Sequence, residues 1–479
     1  MFSKSFSHLT FAASGLLAAL LLTACGGGSD TRGCGSDCDA TTSPSYPIVD
    51  PDMNSLPPSS SYANICTGQP WYPEKSFVLT YMNENYLWYS EMVPPSVDQY
   101  NEVGYFEALL SYRPGTSAHP VPHPVDSYSY VTSTYMADIM DTGYSPGGYG
   151  FSWVTDRNGL QRVAYVAPGS PAAQAGMRRG GVLRGFDSYG AGTYPYGANS
   201  TTLSYQDPGS AVRSIPLATV PFQQDPVPIV SIVTPSPFPV NNRKIGYLLV
   251  LDYSSIAQDK LIDAITSLRV QGMNELVLDL RYNQGGFIHA AQSLASMIAG
   301  SNAVGGFGMV RTFERQVYNG KVPNVTLPFT TTVTWQPGIT SLPPGYNNSS
   351  NRVKYSIGYP LPALNLSRVY ILTTDLTASA SESLINALRG VDVDVVQIGT
   401  LTAGIPYGSN RRDNCGEAYY PIEYQGFNNK GFGDYTGGLA PTCLVHDDFN
   451  YPLGDGREAL LNAATEYIRT GQCPATATQ

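Results

Sequence analysis

A short apolar strand runs into a pair of glycines at residues 278–286, which read Leu278-Asp279-Leu280-Arg281-Tyr282-Asn283-Gln284-Gly285-Gly286. Residues with helical spacing follow from Phe287 to Ile298. Because glycine has no side chain, the amides of such a pair stay open to an anion at the start of the helix. The pattern therefore predicts an anion-stabilising site where a buried strand ends.

A second strand-to-helix junction lies about a hundred residues downstream. A strand pattern at Val369–Thr374 is followed by a helix pattern at Ala378–Leu388, and the residues around the junction read Thr377-Ala378-Ser379-Ala380-Ser381-Glu382. A serine in this place lies near the positive end of a helix. From the residues alone, both junctions also suit ordinary helix caps built from Ser, Asn and Gly.

Strand and helix signals alternate through the region around these junctions. The further elements are a strand at Ile245–Leu251, an amphipathic helix at Lys260–Val270, and strands at Glu275–Leu280 and Val395–Ile398. Such alternation predicts an α/β core with a mainly parallel sheet flanked by helices. A Pro-, Gly- and Thr-rich insertion between Ala303 and Asn365 is predicted to be irregular β structure.

The length of 479 residues predicts a multidomain protein of about three domains. We expect a signal peptide at 1–24, a disordered tether at 25–61, an aromatic-rich helical unit at 62–140, an α+β unit at 141–225 and the α/β core at 226–479. Hydrophobic residues make up 42% of the chain, which excludes global disorder. The net charge of −10 without a basic run argues against nucleic acid as a partner.

The amino terminus predicts export. Lys4 precedes an apolar run from Phe11 to Leu22, which is too short to span a membrane. The run ends in Leu22-Thr23-Ala24-Cys25, which resembles a bacterial lipobox. This resemblance implies cleavage before Cys25, lipidation of Cys25, and a location in the bacterial cell envelope, facing the periplasm or the cell surface. An ordinary signal peptide with an incidental cysteine is the alternative.

The unit at 141–225 resembles a PDZ domain. Its Gly148-Tyr149-Gly150-Phe151 matches the carboxylate-binding loop of that family, and Ser170-Pro171-Ala172-Ala173 matches the short helix that follows. Glycines let the loop amides turn inward to hold a terminal carboxylate, and the next strand edge accepts an extended peptide. Gly181 departs from the family, which usually has Asp there.

The two junctions, their order and the PDZ-like unit together resemble the carboxyl-terminal processing peptidases, or tail-specific serine proteases. The resemblance covers roughly Tyr144 to Val445. It implies a ClpP/crotonase-like β-α-β core in which Ser379 is the nucleophile. It also implies an oxyanion hole formed by the amide of Ala380 and by either Gly285 or Gly286. The implied partners are polypeptide substrates or peptide C-termini.

One departure concerns the general base. The family has a lysine in a Thr-x-Gly-Lys segment, and the matching residues here are Thr402, Gly404 and Ile405. Isoleucine cannot accept a proton, and loss of a general base costs roughly 10²–10⁴-fold in rate. His289 and His446 are two alternative bases. Asp392 is the nearest match to an assisting aspartate found in some members.

Two functions therefore stay open at this point. The chain is either a lipid-anchored serine endopeptidase, weakened by Ile405, or a non-catalytic relative that binds peptide tails. No metal or organic cofactor is implied, because no ligand cluster or phosphate-type loop is present.

Export permits disulfides among the remaining cysteines, and six residues allow 15 pairings. Cys34 and Cys38 are close enough to pair locally, Cys415 and Cys443 flank one segment, and a bond between Cys66 and Cys473 would join the two ends of the globule.

Overall fold

The computed structural model describes residues 53, 55–68, 71–111, 126–186, 200–233, 243–303, 309–338 and 353–475. The predicted signal peptide, most of the predicted tether, and the residues Cys25, Cys34 and Cys38 lie outside these ranges. Within the described ranges, no helix combines the length and the apolar character that crossing a membrane requires.

The first unit is helical and packs on the core. Its elements are α1 (Tyr72–Asn85), α2 (Glu102–Ser111), β1 (Tyr130–Ser133) and α3 (Thr134–Thr142). The apolar faces of α1 and α2 bury Phe77 and Phe106 against Tyr419 of the core. β1 pairs antiparallel with a strand of the core, where Tyr130 lies opposite Tyr420. The unit is thus joined to the core by apolar packing and by a shared sheet.

The second unit is built on an antiparallel sheet. Its elements are β2 (Tyr144–Gly148), β3 (Phe151–Thr155), β4 (Gln161–Val166), α4 (Pro171–Gln174), β5 (Val182–Phe186), β6 (Ser200–Gln206), β7 (Arg213–Ala218) and β8 (Val220–Gln223). The sheet order is β3-β4-β5-β6-β7, and β2 pairs with β8. Gly181 is explained by packing, since a Cβ there would lie 2.1 Å from the hydroxyl oxygen of Tyr205.

The core follows from residue 229. Its elements are β9 (Ile229–Val233), β10 (Ile245–Leu249), α5 (Ala257–Val270), β11 (Glu275–Asp279), α6 (Ile288–Ala299), β12 (Thr312–Tyr318), β13 (Val325–Pro328), β14 (Arg368–Thr373), α7 (Ala380–Gly390), β15 (Asp394–Gly399), β16 (Tyr407–Gly408), β17 (Arg412–Asn414), β18 (Glu417–Tyr420), β19 (Tyr424–Phe427), β20 (Cys443–Leu444) and α8 (Ala459–Thr470).

The central sheet has the order β20-β15-β14-β11-β10-β9, and only β9 runs antiparallel to its neighbour. Side chains alternate between its faces. In β14, for example, Ile371 packs beneath α5, α6 and α7, whereas Leu372 faces α8. Both faces are therefore covered, which is why these strands are almost wholly apolar. The α/β prediction is confirmed.

Smaller antiparallel sheets surround this layer. One has the order β13-β12-β19-β16 and the other β1-β18-β17. The predicted irregular insertion contains the paired strands β12 and β13, so the β part of that prediction is confirmed. The predicted core strands and helices are present within three residues of their expected ends. α7 begins at Ala380 because Ser379 has a φ of 53°, which no α-helix can include.

The disulfides differ from the suggested pairs. Cys66 bonds to Cys415, and Cys443 bonds to Cys473. The suggested bond between Cys66 and Cys473, and a bond between Cys415 and Cys443, are therefore wrong. The sheet order explains why the cysteines have other partners than the suggested ones. The first unit lies against the β17–β18 hairpin that carries Cys415, whereas α8 ends beside β20, which carries Cys443.

Candidate active site

The two junctions seen in the sequence meet at one edge of the central sheet. β11 and β14 are adjacent parallel strands, so the segments that follow them leave the sheet side by side. Hydrogen bonds join the segments: Thr377 Oγ1 donates to the Leu280 carbonyl at 2.9 Å, and the Ala378 amide donates to the Asn283 carbonyl at 3.1 Å. Ser379 and the glycine pair are thereby fixed against each other.

Ser379 has a strained backbone at the entrance of α7. Its φ of 53° and ψ of −118° are unusual for a residue with a side chain, and such conformations persist where the surroundings enforce them. The residue is only half-buried. Ala380 follows as the first residue of α7, where backbone amides have no acceptor within the helix.

Gly285 makes the close approach to Ser379. A Cβ added to Gly285 would lie 3.2 Å from Ser379 Oγ and 2.9 Å from its Cβ, so a side chain there would occupy the space in front of the hydroxyl. Gly285 is buried, and its amide donates to Asn283 Oδ1 at 2.9 Å. That amide is therefore already engaged.

Gly286 differs from its neighbour. It is exposed, and no hydrogen bond among the described residues takes up its amide. Tyr253 fixes this segment from the other side, since its amide donates to the Gly285 carbonyl at 3.0 Å and its carbonyl accepts from Phe287 at 2.8 Å. From the sequence, either glycine could supply the second amide of the oxyanion hole. The geometry favours Gly286.

Glu382 connects the serine to the position of the missing lysine. Its carboxylate accepts from the amide of Ser379 at 3.1 Å and from the amide of Ile405 at 2.8 Å. It also accepts from Thr402 Oγ1 at 2.5 Å and from the Gly404 amide at 2.8 Å. The carboxylate of Glu382 therefore bridges the backbone amides of Ile405 and Ser379. The side chain of Ile405 is half-buried.

The role of Glu382 was missed in the sequence, although a signal was present. Ser379-x-x-Glu382 is the pattern of a capping box, in which a glutamate reaches back to the N-cap amide. Burial raises the pKa of Glu382, and the four donors around the carboxylate oppose that rise. The carboxylate thus fixes the relative position of two loops.

The alternative bases are engaged or exposed. His289 Nδ1 lies 3.2 Å from Gln292 Oε1, and its ring stacks on Trp335. His446 is exposed after β20. Asp392 is exposed and pairs with Lys430 and Arg311. None of the hydrogen bonds of the described residues joins these three side chains to Ser379.

A buried charge network lies behind the glycine segment. Arg281 is fully buried and donates to both carboxylate oxygens of Glu458, at 2.6 and 2.8 Å, and to Asp279 at 2.8 Å. Next to it, Arg179 of the second unit donates to the hydroxyl of Tyr282 at 2.6 Å and pairs with Asp447. The second unit is thereby linked to the segment that carries the glycines.

The same network contains acidic residues close enough to hold a metal. Asp447, Asp448 and Glu458 form such a group among the described residues. Burial alone would raise the pKa of Asp447, but Arg179 and Arg281 hold it below its usual value. Asp447 and Glu458 are thus both paired with arginines, and Asp448 is exposed.

The predicted peptide-binding loop lies at the edge of the second unit. Gly148-Tyr149-Gly150-Phe151 connects β2 to β3, and β3 is an edge strand of its sheet. The Gly150 carbonyl accepts from Ala167 at 2.8 Å and from Ser170 Oγ at 3.1 Å. A Cβ on Gly150 would lie 2.1 Å from the Cβ of Ser170, so this loop requires glycine.

A strained serine beside a glycine pair, at the edge of an α/β sheet, is an arrangement that serine-type hydrolases use. Residues 244–414 match the model of peptidase family S41. The chain therefore contains a peptidase family S41 domain and is homologous to the C-terminal processing proteases.

Two curated relatives support this assignment. The chain is 32% identical over 137 residues to the carboxyl-terminal-processing peptidase 2 of Arabidopsis thaliana chloroplasts, covering 26% of each protein. It is 24% identical over 181 residues to the carboxy-terminal processing protease CtpA of Bacillus subtilis, covering 36% of this chain and 37% of CtpA. The matches thus span about a quarter to somewhat over a third of these relatives.

A solved structure supports the fold. A putative S41 protease from Bacteroides fragilis superposes with a TM-score of 0.59 at 24% identity, covering 82% of this chain and 97% of the other.

The contacts of Glu382 generate a stability prediction. Replacement by Gln leaves one acceptor oxygen and places an NH₂ group against backbone donors. Each buried donor left unpaired costs about 1–3 kcal/mol. We expect Glu382→Gln to lower the free energy of unfolding by at least that amount in urea titrations. Glu466→Gln on α8, at a partly exposed position with only a surface ion pair to Arg469, is the control and should change it by no more than about 0.5 kcal/mol. Equal stability of both variants would contradict the assigned contacts.

Proposed function

We propose that the chain is a serine endopeptidase of the C-terminal processing type, with Ser379 as nucleophile and low turnover. The close approach of Gly285 to Ser379 Oγ carries this proposal. A Cβ at residue 285 would lie 3.2 Å from both Ser379 Oγ and the Ala380 nitrogen, so glycine keeps the space beside them open. The Gly286 amide follows next in the chain, and no hydrogen bond of the described residues takes up either the Gly286 or the Ala380 amide. Attack on a substrate carbonyl would form a bond between Ser379 Oγ and the carbonyl carbon, and the C=O π pair would move to the oxygen. The resulting oxyanion would accept hydrogen bonds from these two amides. The hydroxyl proton would pass to solvent water, and water would supply the proton of the leaving amine and then hydrolyse the acyl-enzyme.

Ile405 limits the rate in this proposal. Its amide is fixed by the same carboxylate that fixes the Ser379 amide, so a side chain at 405 starts close to the nucleophile. An alkyl side chain takes no proton from the serine hydroxyl. The oxyanion donors stay in place, and donors of this kind contribute about 2.7–4 kcal/mol each to transition-state stabilisation.

Hydrolysis of a fluorescently labelled unfolded polypeptide tests the proposal. The parent should cleave slowly, Ser379→Ala should show no cleavage, and Ile405→Lys should raise the rate by roughly 10²–10⁴-fold. Ile405→Met keeps the volume without a base and should stay at the parent rate. A Ser379→Ala rate equal to the parent rate would exclude Ser379 as the nucleophile.

The second candidate function is capture of peptide C-termini without cleavage. Ile405 favours it, because binding needs no base. The loop Gly148–Phe151 leads into β3, which is an edge strand of its sheet. A PDZ-like site uses these two features, a glycine loop for the carboxylate and a strand edge for the extended peptide. In an active enzyme, the same site would hold the substrate tail.

Binding of labelled peptides to the Ser379→Ala protein tests this capture. Hydrogen bonds to a charged carboxylate are worth about 1.5–3 kcal/mol. A peptide with a free C-terminus should therefore bind about tenfold or more tightly than the same peptide with a C-terminal amide, by fluorescence anisotropy. Equal dissociation constants would show that the carboxylate is not recognised.

We also propose that the protein is anchored in the bacterial cell envelope through a lipid on Cys25. The apolar run that ends in Leu22-Thr23-Ala24-Cys25 supports this location. Expressed with its full leader, the parent should be found in the membrane fraction. Cys25→Ala should be recovered in the soluble fraction, because a lipid chain can no longer be attached. A variant that stays in the membrane fraction would argue against lipidation.

A further inference from the structure

Three aromatic rings lie next to the proposed oxyanion donor. Phe287 follows Gly286 directly, and His289 lies in the first turn of α6. Trp335 comes from the insertion between β13 and β14 and contacts both rings. Its ring centroid is 5.0 Å from that of Phe287 and 5.2 Å from that of His289, on which it stacks. We call Phe287, His289 and Trp335 the aromatic shelf.

Buried polar contacts fix the shelf in place. The Trp335 carbonyl accepts from Gln258 Nε2 at 3.1 Å, and Gln258 Oε1 accepts from Ser293 Oγ at 2.9 Å. Gln258 is only 3% exposed, so this connection lies within the protein. Phe287 is fixed by the hydrogen bond from its amide to the Tyr253 carbonyl. The insertion is thus attached beside the glycine segment through α5 and α6.

The shelf does not serve the hydrophobic core. Ile288 packs against the main core cluster, whereas Phe287 and Trp335 belong to none of the core clusters of the described residues. All three shelf residues are half-buried and so keep part of their surface open. Burial lowers the pKa of His289, which leaves the imidazole neutral around pH 7. The shelf is therefore an uncharged aromatic surface.

We infer that the aromatic shelf binds the side chain of the substrate residue that supplies the scissile carbonyl, and that it selects an apolar or aromatic side chain there. The inference rests on the proposed function, in which the Gly286 amide contacts the oxygen of that carbonyl. Phe287 follows Gly286 directly, and consecutive Cα atoms lie about 3.8 Å apart. A substrate residue whose carbonyl oxygen contacts the Gly286 amide therefore has its side chain within reach of Phe287.

The chemistry of the shelf favours this class of side chain. Aromatic rings gain about 0.5–1.5 kcal/mol from a paired ring beyond the burial of apolar area. A carboxylate placed on the shelf would lose water without gaining a cation, since Phe287, His289 and Trp335 carry no positive charge near neutral pH. Through Trp335, an insertion on the outside of the α/β core thus contributes to the selectivity of the site.

Peptide binding to the full-length Ser379→Ala protein tests the inference without any need for hydrolysis. The peptides carry a C-terminal amide, which removes the carboxylate that the Gly148–Phe151 loop would recognise. They differ at one central position, Phe or Asp, within a Gly/Ser background. We expect the Phe peptide to bind more tightly. Trp335→Ala and Phe287→Ala should each reduce this preference by about three- to tenfold. Tyr135→Ala, an exposed aromatic residue on α3, should leave it unchanged.

Photo-crosslinking locates the bound side chain in the protein with an intact shelf. A peptide with benzoylphenylalanine at the central position should crosslink to residues 287–289 or to Trp335, as read by mass spectrometry. Equal affinity for the Phe and Asp peptides, or crosslinks confined to the second unit, would overturn the inference. In a further outcome, the Ser379→Ala protein binds the Phe peptide selectively but the parent shows no Ser379-dependent cleavage. That result would refute the proposed peptidase activity and support the role of the aromatic shelf in binding.

Discussion

The buried guanidinium of Arg281 connects the parts of this protein that have to stay in register. It bonds to Asp279 at the end of β11 and to Glu458 at the start of α8, and all three side chains are fully buried. Removing one partner of such a group leaves an uncompensated charge and costs roughly 3–5 kcal/mol. The strand that carries the glycine segment is therefore fixed to the C-terminal helix by charges that have no contact with solvent.

The network extends from this centre in two directions. Tyr282, the next residue, contacts Arg179 of the second unit, and Asn283 positions the Gly285 amide. The second unit is thus connected to the proposed oxyanion donor through a few residues of one continuous segment. Since the buried side chains of this segment restrict its backbone torsions, a displacement of Arg179 would also displace Gly285 and Gly286.

The loop around Ile405 keeps its geometry although it lacks a base. Glu382 fixes its amides from inside, and from outside the Tyr128 hydroxyl lies 3.4 Å from the Gly404 carbonyl while Trp88 packs edge-on against Tyr407 at 5.0 Å. The first unit therefore covers this loop. The position that the family resemblance assigns to the base is thus held in place on both sides, and its side chain here is alkyl.

The resemblance to a known peptidase family singled out Ser379 as the candidate nucleophile. Local sequence patterns by themselves determined the α/β core and the two strand-to-helix junctions. They did so because strand alternation, helical spacing and glycine pairs act over a few residues. Tertiary structure alone determined the choice of Gly286 over Gly285, the four donors around Glu382, the cysteine partners and the meeting of Trp335 with Phe287. Each of these depends on which segments the sheet order places side by side, and residues far apart in sequence carry no local signal of that neighbourhood.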